Sequence, residues 1–134
     1  MDLRTILLAA LDDERKAEAT YAAVIAKFGE VRPFSNIMGA EQRHTAALER
    51  QLRRLDMDVP PNPWPGKISA PSSLAQACED AIAAELENIA LYDRLIPRIE
   101  DTVARQVMEN LQAASRERHL HAFRRCLERE RNRR

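Results

Sequence analysis

Ala40-Glu41-Gln42-Arg43-His44-Thr45-Ala46-Ala47-Leu48 is partly restated seventy-five residues later as Ser115-Arg116-Glu117-Arg118-His119-Leu120-His121-Ala122-Phe123. The restatement sets one histidine in each copy, His44 and His119, at the same point of a helical pattern. A second echo, offset by seventy-one residues, pairs Glu14 and Tyr21 with Glu85 and Tyr92. Two duplicated helix pairs, each contributing a carboxylate and an imidazole, are how a four-helix bundle builds a metal site in its core.

Working outward, the punctuation predicts four helices. The first runs from about Asp2 to Phe28 and stops at Gly29, a residue suited to the left-handed position after a helix end. The second begins near Pro33, which fits a first-turn position, and fades around Asp56. From Val59 to Gly66 the chain holds four prolines and cannot be helical, so about 57–73 is a long crossover. Ser73 with Gln76 reads as a capping box for a third helix reaching Leu95. Pro97 breaks that helix, and Asp101 caps a fourth that continues to about Glu130. Short loop, long crossover, short loop is the connectivity of an all-α antiparallel four-helix bundle with one crossover, built from residues 1–134 as a single domain.

Alternating steps of four and three locate the buried seams. Helix one offers Leu7, Leu11, Glu14, Glu18, Tyr21, Ile25 and Phe28, and helix two offers Phe34, Ile37, Glu41, His44, Leu48 and Leu55. Helix three offers Leu74, Cys78, Ile82, Glu85, Ile89, Tyr92 and Ile96; helix four offers Val107, Leu111, Ser115, His119, Phe123 and Cys126. Each seam therefore buries an ionisable group near its middle. Any one of these, taken alone, reads more simply as a hydrogen-bonded core polar group. Together they need a cation, because burying several carboxylates costs several kcal/mol per charge or forces protonation. Carboxylate oxygen and imidazole nitrogen suit iron, manganese or zinc.

Composition excludes much else. The 134 residues are 45% hydrophobic and only 4% aromatic, which fits one compact, aliphatic core. Lys+Arg and Asp+Glu are balanced at 21 each, so no overall field draws the chain to nucleic acid or anionic lipid. The longest apolar run, Ile6 to Leu11, is too short for a membrane span and lacks the pattern of a signal peptide, which places the protein in the cytoplasm. Two cysteines are too few for a secreted disulfide framework. No glycine-rich phosphate loop, nucleophile elbow or cysteine–histidine zinc spacing occurs.

The run Glu14-Arg15-Lys16-Ala17 with Tyr21, the Glu41-Gln42-Arg43-His44 motif, and Glu85 with Tyr92 resemble the iron-binding helices of the ferritin-like, rubrerythrin-related superfamily. Arg32-Pro33-Phe34-Ser35-Asn36-Ile37 and the stretch from Ser115 to Phe123 are similar to a bacterial ferritin-like group described as a domain of unknown function. The resemblance implies that Glu14 and Glu85 are single-helix ligands, that Glu41 bridges or chelates, and that His44 and His119 each hold one metal. It implies Tyr21 and Tyr92 as hydrogen-bond donors to the carboxylates. It also implies one or two ions, iron first, used for iron-dependent oxidation or for handling peroxide or oxygen, as in a di-iron oxidoreductase. There is no rubredoxin-like cysteine module, so electrons for such chemistry come from an external donor.

The superfamily pattern has a glutamate three residues before the second histidine, where this chain has Arg116. A guanidinium cannot bind a metal. Glu18, one turn from Glu14, supplies the missing oxygens; or Arg116 occupies one metal's place; or Arg116 points outward and leaves five ligands. Glu117 is about 100° off the seam unless the helix bulges. If Arg116 replaces a metal's charge, the alternative function is a non-enzymatic scaffold, such as a homodimer.

Cys78 lies seven residues before Glu85 and Cys126 seven after His119, so both fall about 10 Å from the charged layer toward one end. They are either neighbours or simply small packed core residues, the latter being usual in a cytoplasmic chain. The arginine-rich end from Arg124 to Arg134 reads as a solvated helix end, and Trp64 as a cover for one end of the bundle.

Overall fold

A computed structural model describes residues 1–133, whose regular secondary structure is helical throughout; Arg134, the last residue of the expected domain, lies outside the described residues. Helix α1 spans Leu3–Phe28, α2 Phe34–Arg54, α3 Leu74–Leu95, α4 Thr102–Ala114 and α5 Leu120–Arg131. A short 3₁₀ turn, Ile96–Arg98, follows α3 at Pro97. One turn of π-helix, Ser115–His119, joins α4 to α5, so the expected fourth helix is two α segments with a bulge between them.

The boundaries follow from local chemistry. Asp2, Ser73 and Asp101 each accept a hydrogen bond from the backbone N–H three residues on, capping α1, α3 and α4. Each such cap contributes about 1 kcal/mol. The expected capping box is only half made, since the Gln76 side chain donates to Asp80 rather than reaching back. Gly29 ends α1 at φ 89°, a left-handed conformation that a side chain would strain. Pro33 sits just ahead of α2 rather than in its first turn. Residues 55–73 form no helix, as four prolines in eight residues require.

Buried apolar side chains form two clusters. One gathers Leu7, Leu11, Leu48, Leu52, Tyr92 and Met108. The other gathers Tyr21, Val24, Phe34, Ile37, Cys78 and Phe123. In every helix the expected ionisable residues fall between these two sets. Helix α1 packs mainly along α2, and α3 mainly along α5. Arg15 is buried and joins α1 to Glu49 of α2 at 3.0 Å and to the Pro61 carbonyl at 3.3 Å. Gln112 joins α4 to the Ile89 carbonyl and Asp93 of α3.

Two further expectations meet the structure here. Of the two alternatives for the cysteines, neighbours is the one found: Cys78 and Cys126 are bonded to each other, tying α3 to α5 across 6.0 Å between Cα atoms. Their equal depth in the bundle made the pairing reachable. Trp64 covers the flank of α1 rather than an end of the bundle: its indole N–H donates to Asp12 at 2.9 Å, and Lys16 lies over its ring. None of the described helices is long and apolar enough to cross a membrane.

Candidate metal centre

The five residues expected at the centre come together. Glu14, Glu41 and His44 can place one ligand atom each within 4.8 Å of one another, and so can Glu41, Glu85 and His119. Glu41 belongs to both groups. All five are buried, Glu14 and Glu41 at 1% exposure. The imidazoles of His44 and His119 stack with centroids 5.5 Å apart and planes within 15°.

Helical spacing explains the placement on α2, where Glu41 and His44 share a face at a separation of three. The π turn explains it on the opposite side. Carrying an extra residue per turn, it keeps both Ser115 and His119 buried while Arg116, Glu117 and Arg118 face water. Arg116 points outward and lies 3.4 Å from Asp93, so it does not take a metal's place. The position that faces the core is filled by Ser115, whose hydroxyl donates to the Asn88 amide oxygen at 3.0 Å. Glu117 stays exposed in spite of the bulge. Glu18 is not brought into the cluster; it lines a surface groove against Asn62 and Gly66 of the non-helical segment.

Around the five, polar partners orient the acids. Tyr92 donates to Glu14 at 2.8 Å. Asn88, which the periodic reading missed, donates to Asp13 at 2.6 Å and approaches Glu14 at 3.4 Å. His119 meets Glu85 at 3.0 Å through Nδ1. Sequence signals for Asn88 and Ser115 existed: Asn88 is one turn after Glu85, and Ser115 stood on the helix-four seam.

Several buried atoms find no hydrogen bond. At the cluster they are both oxygens of Glu41, Nδ1 of His44 and the hydroxyl of Tyr21; Arg15 Nε and Thr45 Oγ1 are the others. His44 Nδ1 stands 3.7 Å from Glu14 and 3.6 Å from Glu41, and His119 Nδ1 stands 3.3 Å from Glu41, within ionic reach but without hydrogen-bond geometry. Unpaired buried groups of this kind cost about 1–3 kcal/mol each. A divalent cation between Glu41 and the imidazoles would satisfy the Glu41 oxygens and His44 Nδ1 together, so the donor set fits a metal.

Protons are the competing cation. Burial, and then the charge of Glu41, push Glu14 up to about 7. Burial opposes charge on His44, but Glu14 and Glu41 outweigh it and raise the imidazole to about 10. Burial likewise opposes charge on His119, which Glu41 and Glu85 raise to about 9. Burial raises Glu85 against the pull of His119. Burial would raise Glu41 too, yet the proton held by Glu14 and the two imidazoles lying close by, within ionic reach though outside hydrogen-bond geometry, bring it below the usual carboxylate value. Without metal, therefore, two imidazolium ions and a shared proton balance three acids.

No protein-family model matches the chain, and no curated protein does. Among solved structures, the chain is similar to the crystal structure of a hypothetical protein from Methanococcus jannaschii DSM 2661, at TM-score 0.84 and 22% identity, over 95% of this chain and 80% of that one. That likeness extends to the fold and stops there.

Proposed function

We propose that the chain is a ferritin-like metal protein whose bundle core holds two transition-metal ions, iron in preference to manganese or zinc, and catalyses iron-dependent oxidation or peroxide and oxygen handling. Glu14, Glu41 and His44 hold one ion; Glu41, Glu85 and His119 hold the other. The observation that carries this reading is the sharing of Glu41 by two otherwise separate ligand groups. An antiparallel, ferritin-like course is supported by the order in which helices meet the two apolar clusters. Helices α1 and α4–α5 pass from the Leu11 and Leu111 cluster to the Tyr21 and Phe123 cluster, and α2 and α3 pass the other way.

Bound iron would supply Lewis acidity and a one-electron couple. The protein's own contribution is orientation and exclusion of water. Tyr92 fixes the rotamer of Glu14, and Asn88 and Ser115 form a hydrogen-bonded chain behind it. By the internal repeat, Tyr21 is the counterpart donor for Glu85, and its unpartnered hydroxyl is free for that role. Reducing equivalents come from an external donor.

Elemental analysis after loading with Fe(II), Mn(II) or Zn(II) in separate samples tests the reading. About two ions per chain are expected, falling to about one in His44→Ala and in His119→Ala. Protein that leaves desalting free of metal in all three samples sinks it. Oxygen uptake by the Fe(II)-loaded protein above the rate of free Fe(II) is the corresponding test of activity.

A further inference from the structure

An open groove of about 810 Å³ runs between the first turns of α2 and the outer face of α5. His119 forms part of its lining. So do five arginines: Arg32 ahead of α2, Arg118 on the π turn, Arg125 and Arg129 along α5, and Arg133 just beyond its end. The last four recur at steps of seven, four and four, which makes one stripe roughly 20 Å long. Among the described residues Glu130 is the one carboxylate lining the groove, and it lies 3.3 Å from Arg133. Among the described residues, Arg32, Arg118, Arg125 and Arg129 are exposed and take part in no ion pair.

The chain as a whole carries 21 basic and 21 acidic residues, so this concentration of positive charge is local and not a by-product of composition. The walls between the guanidiniums are apolar, formed by Ile37, Ala40, Leu74 and Ala122. Helix α2 opens onto the groove with no side chain capping its first turn, and helix N-termini favour negative charge. A guanidinium is matched to carboxylate or phosphate, whereas the apolar wall gains from hydrocarbon.

We propose that this groove binds an amphipathic organic anion. Its carboxylate or phosphate head lies on the Arg125 and Arg129 stripe, and its aliphatic part lies along Ile37, Ala40 and Ala122 beside His119. Binding stands on the groove alone; the claim that this anion is the compound presented to the metal rests on the function proposed above.

The test titrates octanoate, octyl phosphate, octan-1-ol and inorganic phosphate into metal-free protein by calorimetry, and into Co(II)-loaded protein by visible absorption. At least one of the two amphipathic anions is expected to bind at least about tenfold more tightly than both octan-1-ol and inorganic phosphate. The double variant Arg125→Glu/Arg129→Glu is expected to weaken that binding at least about tenfold. Both residues are exposed, so helix content by circular dichroism stays unchanged. Ala122→Trp, which fills the apolar wall, gives an independent block. In the cobalt protein the anion shifts the ligand-field bands. The proposal is overturned if no amphipathic anion binds, if inorganic phosphate or octanol binds equally well, or if neither variant weakens binding. Unmoved cobalt bands on a bound anion overturn its placement beside the metal. Anion binding by a protein that takes up no cobalt condemns the metal reading alone, and cobalt uptake without anion binding condemns this one alone.

Discussion

The two turns that present the histidines differ in a way that residue counting misses. On α2, Glu41 and His44 are three apart on regular helix, and both are buried. Across the core, the residue three before His119 is Arg116, which is exposed, while the residue four before it, Ser115, is fully buried. The π turn inserts a residue, so Ser115 and not Arg116 is the spatial counterpart of Glu41. Where the first half of the repeat has a buried carboxylate, the second therefore has a neutral hydroxyl bonded to Asn88. Its apparent arginine substitution lies outside the site.

The asymmetry makes Glu41 the sole residue of its kind, and its loss should have the largest effect. Glu41→Gln keeps the volume but removes the shared charge; metal content is expected to fall from about two ions per chain to below about one, measured by elemental analysis. Retention of both ions would show that the two ligand groups do not depend on a common acid.

Next in size is the response to pH. Glu14 and both imidazoles hold their protons more tightly in the folded chain than at their ordinary values of 4.5 and 6.5. Their contribution is complete below those values and is lost as pH rises through about 7 for Glu14, about 9 for His119 and about 10 for His44. The melting temperature of metal-free protein should thus drop by several degrees between about pH 6 and about pH 9. Metal would displace the same protons, so its affinity should rise over that range. A flat thermal profile for the metal-free protein would falsify the protonated-core description.

A smaller contrast separates Ser115 from Arg116. Ser115→Asp should destabilise metal-free protein by about 1–3 kcal/mol, by burying one more acid, and metal should recover the loss. Arg116→Glu should leave metal stoichiometry unchanged and stability within about 0.5 kcal/mol. The opposite ranking would place Arg116 inside the site after all. Smallest is the tyrosine pair: Tyr92→Phe removes the 2.8 Å bond to Glu14 and should cost about 1 kcal/mol without metal, and Tyr21→Phe, which loses no bond, should be neutral or slightly stabilising. Equal losses in chemical denaturation would end that distinction.

The helix limits, the long unstructured connection and the meeting of Glu14, Glu41, His44, Glu85 and His119 were legible because caps, prolines and the three-four rhythm are local signals. Glu18 shows the limit of that rhythm: four residues after Glu14 is about 40° past a full turn, enough to carry it toward the groove beside Asn62. The burial of Arg15 was not legible in the sequence, for the converse reason. Its burial depends on Glu49 and the Pro61 carbonyl, partners 34 and 46 residues away. The bulge at Ser115–His119 has no marker residue, since an extra residue alters phase without requiring a glycine or proline. The cysteines' common depth was readable; that they bond was not, because spacing gives position and not oxidation state.

The division of the apolar interior into two separate clusters has a consequence for how the molecule melts. With a charged layer between them, the two halves share little greasy surface through which unfolding of one could unseat the other. Stripped of ions, the chain should show a broadened calorimetric peak with a van't Hoff enthalpy below the measured heat, and the end stapled by Cys78 and Cys126 should keep its amide protons longer. Ions seated in the middle would weld the halves, and the endotherm should then sharpen to one cooperative event.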